Sequence, residues 1–236
     1  MATRYHVAIA VVSPSVRWTA TAGRSEAMAK AMDSSTGNGV VLRSGTEDDA
    51  AAAAALHVGQ ITEGFLTFLG ARFLRRLYRR VTRTPGSFLF IAETEGATVG
   101  FLAGSVDVAA LYRAFVRRDG AAAVGACGGR LLRSPGRVIE TLRHGTGGAG
   151  EGAELLAVAV DPSARGRGAG TLLVEEFLTE ILRRRHDAAH VVVAADNSAA
   201  TALYQRAGFT TVERFEMHHG TESLLMQWRT PSDRGS

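Results

Sequence analysis

A turn rich in glycine and arginine in the second half of the chain has the composition of an anion-binding site. An apolar run reaches Asp161-Pro162, and the chain continues through RGRGAG at positions 165–170 into a helical pattern. The first turn of a helix presents N–H groups without a partner inside the helix, and glycines let a diphosphate approach those groups closely. Arg165 and Arg167 can donate charge-assisted hydrogen bonds beside them. The turn therefore predicts anion binding, although a glycine-rich turn that only reverses the chain fits these residues equally well.

Two better-known phosphate loops do not fit this turn. A Rossmann fingerprint requires G-x-G-x-x-G after an early strand, whereas Thr171 occupies the third glycine position counted from Gly166. A Walker A loop requires Gly-Lys followed by Ser or Thr, and Lys30 is the only lysine of the chain. Both nucleotide-binding motifs are thereby excluded.

Hydrophobic periodicity predicts the elements that position the turn. In the second half, the order is strand, helix, strand, helix and hairpin, at 154–160, 171–185, 190–195, 198–207 and 211–218 with 223–228. The residues of the first helix predicted to point inward are Leu172, Leu173, Phe177, Ile181 and Leu182. Asp196-Asn197 is expected to cap the second helix and Gly208 to end it. This alternation predicts a central mixed sheet with helices on its faces.

The first half contributes a strand at 40–42, two helices and a hairpin. Thr46 and Asp49 form a capping-box pattern before an alanine-rich helix at 50–56. The helix at 71–83 is amphipathic, and its arginine-rich face is interpreted as a solvated surface rather than an anion site. Strands at 87–92 and 98–105 are joined by a turn at 94–96.

A long segment separates this hairpin from the strand that precedes the glycine-rich turn. The pattern from 106 to 144 is helical in pieces, interrupted at Asp119-Gly120, Gly128-Gly129 and Pro135-Gly136, and it closes in GTGGAGEG at 145–152. We expect two or three short helices and a loop. A connection of this length far exceeds an ordinary hairpin loop, which indicates a functional insertion.

Composition excludes several classes of protein. The 236 residues carry 27 basic and 23 acidic side chains, so the net charge of +4 is too small to indicate nucleic acid as a partner. No apolar run approaches the roughly 20 residues needed to cross a bilayer, and we expect no membrane association. Cys127 is the only cysteine, which excludes an intrachain disulfide and a cysteine-based metal site and suits a cytoplasmic setting.

The N-terminal segment is expected to lie outside the folded domain. Residues 33–39 read DSSTGNG, which is typical of a linker. Residues 1–38 are therefore interpreted as an extension, or as the product of a start codon upstream of Met28 or Met32. A poor secretory signal is the less favoured alternative, because Pro14, Arg17 and Trp18 interrupt its apolar stretch.

Two motifs in the order found here resemble those of the GNAT superfamily of acyl-CoA-dependent N-acetyltransferases. They are LAVAVDPSARGRGAG, ending at Gly170, and NSAATALYQRAGF at 197–209. The resemblance implies an α/β (α+β) fold with a central mixed, largely antiparallel sheet, helices on both faces and a helical insertion before the fourth strand. The domains would be an extension (1–38), the acetyltransferase domain (39–229, with the insertion at 106–152) and a tail (230–236). The insertion departs from the compact family pattern and is interpreted as a cover over the amine site.

The resemblance also implies where acetyl-CoA, as co-substrate, would bind, with no metal required. The pantetheine arm would pair with the backbone of Val158, Ala159 and Val160. The diphosphate would contact the N–H groups of Arg165, Gly166, Arg167, Gly168, Ala169, Gly170 and Thr171. Asn197 matches a position that often contacts the pantetheine arm. Tyr204 matches the tyrosine that protonates the departing thiolate, while the alternative is a core aromatic on its helix.

Acyl transfer to an amine also requires a base, because an ammonium group must lose a proton before it can attack. Glu154 is the favoured candidate, since part of the superfamily places a glutamate at the start of this strand; a carboxylate that is merely solvated is the alternative. Glu151 is the second candidate, and His218 and His219 are weaker ones. A free backbone N–H around 158–160 would stabilise the oxyanion.

The resemblance implies acetylation of a primary amine by direct attack, without a covalent enzyme intermediate, and a small molecule is the favoured acceptor because a large helical insertion suits an enclosed pocket. A protein N-terminus or lysine as acceptor remains an alternative, as does a non-catalytic acyl-CoA-binding module. A homodimer is compatible with the sequence.

Overall fold

The computed structural model describes residues 39–61, 65–127, 152–217 and 221–230. Its strands are β1 (Val40–Ser44), β2 (Ser87–Thr94), β3 (Ala97–Ser105), β4 (Ala153–Val160), β5 (Ala188–Ala194), β6 (Thr210–Met217) and β7 (Thr221–Arg229). Its helices are α1 (Ala50–Gln60), α2 (Phe65–Leu69), α3 (Ala71–Arg83), α4 (Val108–Cys127), α5 (Ala169–Arg183) and α6 (Ser198–Arg206). A short 3-10 turn, Pro162–Ala164, lies between β4 and α5.

The strands form one seven-stranded sheet in the order β1-β2-β3-β4-β5-β7-β6. Neighbouring strands are antiparallel except for β4 and β5, which are parallel. The β2–β3 hairpin turns at Glu95 and Gly96, whose φ angles of 53° and 77° suit a tight hairpin turn. The predicted mixed, largely antiparallel sheet is confirmed.

Helices cover both faces of the sheet, as predicted. On one face, Leu173, Phe177 and Ile181 of α5 recur every four residues and pack with α6 against β4 and β5. On the other face, α1, α3 and α4 pack against β2, β3 and β4. Leu182 was predicted to point inward but is 37% exposed, because it lies about 100° around the helix from Ile181, the nearest residue of the buried stripe.

The first part of the insertion differs from the prediction. Residues 108–127 form a single helix of 20 residues, α4, and the predicted break at Asp119-Gly120 is absent from it. Tertiary contacts outweigh the cost of about 1 kcal/mol for glycine in a helix. The Asp119 carboxylate accepts a hydrogen bond of 2.6 Å from Nε of Arg80 on α3, and Phe115 packs edge-on against Phe73. The other predicted breaks lie outside the described residues.

The same contact corrects the interpretation of the α3 arginines. Arg80 was assigned to a solvated face, but its side chain is only 7% exposed and is paired with Asp119. The α3 and α4 helices are therefore joined by a buried ion pair as well as by apolar contacts. This packing fixes α4 against the helical layer that lies over β3 and β4.

Candidate active site

The strands β4 and β5 separate immediately after they begin. Their parallel ladder has two rungs, Ala153 with Ala189 and Glu154 with His190. Beyond them, β4 remains paired with β3 up to Val160, and β5 remains paired with β7 up to Ala194. Within these fully described strands, the edge of β4 from 155 to 160 that faces β5 carries backbone groups with no strand partner. The predicted pantetheine residues Val158, Ala159 and Val160 all lie on this open edge.

A β-bulge lies on β4 at the start of the opening. Gly104 pairs with Leu155 and Ala103 pairs with Ala157, so Leu156 is the extra residue. A bulge locally disrupts the ladder and changes the direction of backbone groups. It therefore helps to turn the edge of β4 away from β5 where the two strands part.

The glycine-rich turn follows β4 directly and begins α5. Asp161 accepts a hydrogen bond of 2.9 Å from the Ser163 amide and caps the 3-10 turn. Gly166 and Gly168 have φ angles of 75° and 83°, and Gly168 is the left-handed N-cap of α5. Residues with a side chain rarely adopt this backbone conformation, so glycine suits both positions. A Cβ at either position would meet no atom within 4 Å, which leaves open space above the turn.

The backbone donors of the turn divide into two groups. Arg165 and Arg167 donate long hydrogen bonds, of 3.3 and 3.4 Å, to the carbonyls of Pro162 and Ala164. Within the continuous described stretch 152–217, no backbone carbonyl accepts from the amides of Gly166, Gly168, Ala169, Gly170 or Thr171. The helix also begins at Ala169 rather than at the predicted 171. The N–H groups of its first turn, which have no partner inside the helix, therefore belong to the glycine-rich segment. Five of the seven predicted amides therefore have no backbone acceptor within the described part of the chain.

The side chain of Arg165 has a partner in the N-terminal half of the chain. It donates a hydrogen bond of 2.7 Å to the side-chain oxygen of Gln60, at the end of α1. This contact holds the turn against the helical layer on the opposite side of the sheet from α5. Arg165 therefore connects the two layers at the edge of the turn.

Tyr204 lies on α6 with no exposed surface. Its ring belongs to the apolar cluster shared by α5, β4 and β5 and contacts Phe209. Its hydroxyl is buried and has no hydrogen-bond partner among the described residues. Burial raises the pKa of the Tyr204 hydroxyl well above its usual value, so this group remains protonated throughout the neutral range. A buried hydroxyl without a protein partner is costly, and it leaves a hydrogen-bond donor available to a bound molecule.

Asn197 caps α6, as predicted. Its side-chain oxygen accepts a hydrogen bond of 3.0 Å from the amide of Ala200. Gly208, with a φ of 94°, follows the end of the same helix. The proposed pantetheine contact of Asn197 remains a prediction, and the side-chain NH2 or the second lone pair of the capping oxygen could make it.

Glu154 and Tyr204 lie on opposite faces of the sheet. Ala153 and Leu155 face the α5 side, so Glu154 between them faces α1, α3 and α4. Its side chain is only 4% exposed, and its Oε2 atom lies 3.5 Å from Nε2 of His190. Glu154 is thus a buried carboxylate rather than the solvated one that was weighed as the alternative. The other candidate bases, Glu151, His218 and His219, lie outside the described residues.

Two neighbours of Glu154 were not found from the sequence. His190 is next to Glu154 because these residues form the last rung of the β4–β5 ladder. Tyr112 on α4 is half-buried, and desolvation of its hydroxyl, followed by the charge of Glu154, raises the pKa of that hydroxyl. A predicted pairing between the strands at 154–160 and 190–195 would have placed His190 next to Glu154. No sequence pattern predicted that Tyr112 lies on the face of the sheet covered by α1, α3 and α4.

No group of His, Cys, Asp and Glu side chains within the described ranges could hold a metal ion. None of the helices placed by the structure is long and apolar enough to cross a membrane.

Comparison with known proteins agrees with this architecture. Residues 59–209 match the family model described as the Acetyltransferase (GNAT) family. Among curated proteins, the mycothiol acetyltransferase of Beutenbergia cavernae is 39% identical over 59 residues, which cover 25% of this chain and 20% of that protein. The mycothiol acetyltransferase of Clavibacter sepedonicus is 42% identical over 57 residues, which cover 24% and 19%. The chain therefore matches about a fifth of the length of these curated relatives.

Solved structures extend the similarity of the fold to most of the chain. A ribosomal-protein-alanine N-acetyltransferase from Brucella melitensis has a TM-score of 0.54 at 21% identity and covers 80% of this chain and 99% of its own. The acetyltransferase yncA from Salmonella typhimurium, a structure with its cofactor acetyl-CoA, has a TM-score of 0.55 at 14% identity and covers 84% and 97%. At these identities the likeness shows the fold alone. Because the family match extends over well over half of the sequence, the chain belongs to the GNAT acetyltransferase family.

Proposed function

We propose that this protein transfers the acetyl group of acetyl-CoA to the primary amine of a small molecule by direct attack. The observation that carries the proposal is the opening between β4 and β5. It joins the amide cluster of the glycine-rich turn at one end to a buried carboxylate at the other. The buried hydroxyl of Tyr204 belongs to the apolar cluster along the same two strands.

The described residues fit acetyl-CoA as co-substrate. The unpaired edge of β4 at 158–160 offers the backbone groups that an extended pantetheine arm would pair with. The amides of Gly166, Gly168, Ala169, Gly170 and Thr171 point to a diphosphate as ligand, because they lie at the positive end of a 15-residue helix. The open space above Gly166 and Gly168 leaves room for it. When bound, acetyl-CoA supplies the activated acyl group as a thioester.

The residues of the chain supply the proton transfers. In the proposed reaction, the carboxylate of Glu154 takes a proton from the acceptor ammonium, directly or through water. The neutral amine forms the new N–C bond, its nitrogen gives up a second proton to solvent, and the C–S bond to the coenzyme breaks. The hydroxyl of Tyr204 donates its proton to the leaving sulfur and recovers one from solvent. A backbone N–H on the open edge of β4 stabilises the oxyanion.

The position of α4 supports a small acceptor. The α4 helix packs on α3 in the same layer that faces Glu154, and its Tyr112 interacts electrostatically with that carboxylate. This placement supports the prediction that the insertion covers the acceptor end of the opening. An enclosed pocket suits a small amine better than a folded protein surface.

Release of free thiol from acetyl-CoA with a panel of amines tests the proposal. The panel comprises amino sugars, amino acids, polyamines, peptides with free N-termini and a lysine-containing peptide with a blocked N-terminus. We expect turnover with at least one small amine and none with the peptides. Turnover with peptides only would transfer the assignment to a protein acceptor. Binding of acetyl-CoA without thiol release from any amine would instead support a non-catalytic module.

A further inference from the structure

The last rung before β4 and β5 separate consists of two titratable residues, Glu154 and His190. Both side chains face the layer of α1, α3 and α4, because their neighbours Ala153, Leu155, Ala189 and Val191 all face α5. The two residues are each 3% exposed. The histidine is therefore placed beside the proposed base by the same feature of the sheet that opens the coenzyme site.

A carboxylate at this position needs a partner. The Oε2 atom of Glu154 makes no hydrogen bond to any residue that the structure describes, and its nearest basic atom is Nε2 of His190 at 3.5 Å. The arginine ion pairs within the described ranges all involve other carboxylates. Burying a charged carboxylate without a donor costs several kcal/mol or drives it to take up a proton. Glu154 can act as a base at neutral pH only if neighbouring groups stabilise its charged form.

Tyr112 is the second polar group that interacts electrostatically with Glu154, and it belongs to the insertion. Burial, and then the charge of Glu154, raise the pKa of the Tyr112 hydroxyl, so it remains a protonated donor. Other titratable groups of this layer are Tyr78 on α3, which lies near Tyr112, and His57 on α1, which is hydrogen-bonded to Tyr78. The Arg80–Asp119 pair also belongs to this layer, and its charges are paired with each other. On the β7 side, the residue paired with His190 is Gln227, which does not titrate.

We propose that His190 is a positioning residue for the catalytic base: its imidazole, assisted by the Tyr112 hydroxyl, holds Glu154 charged and oriented at the point where β4 and β5 part. This inference rests on the proposed function, in which Glu154 takes the acceptor proton. It adds that the base is a unit assembled from β4, β5 and the inserted helix α4. The proton remains on Glu154 until solvent removes it.

The test compares kcat, the KM for acetyl-CoA and the pH dependence of kcat for His190→Leu, His190→Gln, Tyr112→Phe and Glu154→Gln. The His190→Leu variant removes the donor at similar volume. We expect roughly a tenfold lower kcat at pH 7, and an acid limb of the pH profile moved up by about one unit, because an uncompensated buried carboxylate is protonated more readily. The KM for acetyl-CoA should stay within about twofold of the wild-type value.

Two variants distinguish positioning from packing. His190→Gln keeps a neutral donor and should recover most of the lost rate, whereas a purely structural role predicts no such recovery. Tyr112→Phe should move the acid limb in the same direction by a smaller amount. Tyr78→Phe is the matched control, because it removes a buried hydroxyl from the same layer that contacts His57 instead of Glu154. It should leave the acid limb in place.

A double variant separates this inference from the proposed function. Glu154→Gln/His190→Leu should be no slower than Glu154→Gln alone, because His190 acts through Glu154. Multiplicative losses in the double variant would overturn the role of His190 while leaving acetyl transfer intact. Absence of turnover by the wild type with every amine would overturn the proposed function and this assignment together.

Discussion

The hydroxyl of Tyr204 yields a prediction in which stability and activity change in opposite directions. The hydroxyl is fully buried and has no partner among the described residues, while its ring packs in the core. Tyr204→Phe keeps the ring and removes only the oxygen. If that oxygen serves a bound thioester and not the fold, the variant should lose turnover and gain stability in the unliganded protein.

The size of each effect follows from the burial of this group. A buried polar atom without a hydrogen bond costs roughly 1–3 kcal/mol, and the small void left by the oxygen offsets part of the gain. A net stabilisation of about 1 kcal/mol raises the Tm of a domain of this size by about 2–4 °C. Loss of a general acid lowers kcat by about 100-fold or more, while the affinity for acetyl-CoA stays largely unchanged.

Thermal unfolding of the unliganded protein, together with steady-state kinetics, tests both effects. Tyr78→Phe is the matched control for stability: Tyr78 is also a buried tyrosine, but its hydroxyl is bonded to His57. Removing that oxygen leaves a buried imidazole nitrogen without its partner and should lower the Tm. If Tyr204→Phe lowers the Tm as Tyr78→Phe does, the Tyr204 hydroxyl is satisfied within the protein. Activity equal to wild type would remove Tyr204 from the mechanism.

Three further predictions concern the coenzyme, the base and the pH dependence of stability. Gly168→Asp and Gly168→Asn place similar side chains at the same φ of 83°, where a Cβ meets no atom within 4 Å. The Asp variant should bind acetyl-CoA about 10- to 100-fold more weakly than the Asn variant in calorimetry, because repulsion between its carboxylate and the diphosphate costs about 1–3 kcal/mol. Equal affinities would place the diphosphate elsewhere. Glu154→Gln should lower kcat at least about 100-fold and abolish the rise of the rate with pH, and an unaltered pH profile would point to another base. Burial lowers the pKa of His57 to about 4, below its unfolded value of 6.5, so stability should fall by about 3 kcal/mol as pH drops from 6.5 to 4. Denaturant unfolding should show a smaller fall for His57→Gln, and an equal fall would assign the pH dependence to other groups.

Local sequence signals were sufficient for most of the fold. The β2–β3 turn, the Asn197 cap and the glycine after α6 each depend on residues within a few positions of one another, and all three are confirmed. The order of strands and helices in the second half is also a local property, because each element has its own hydrophobic period. The family motifs added the sheet topology, which no single element specifies.

The predictions that were wrong concern contacts between residues far apart in the chain. Gly120 interrupts the local helical pattern, but the pair of Arg80 and Asp119, 39 positions apart, holds α4 together across that point. The same pair moved Arg80 from the predicted solvated face into the interior. His190 and Tyr112 were missed for the same reason, since neither is near Glu154 in sequence. Propensity describes what a segment prefers alone, and packing between segments decided these positions.

The opening between β4 and β5 explains how the proposed acid and base can act on one substrate although they lie on opposite faces of the sheet. Tyr204 belongs to the α5 face and Glu154 to the other, so a closed sheet would separate them by a layer of hydrogen-bonded backbone. The β4–β5 ladder ends at Glu154 and His190, so no hydrogen-bonded backbone separates the two faces beyond that rung. A thioester in the opening can then meet a proton donor from one face and an amine from the other. The residues around the thiol and those around the amine can therefore differ independently. A substitution that extended the β4–β5 pairing by even two residues should therefore abolish turnover without touching either proposed catalytic residue.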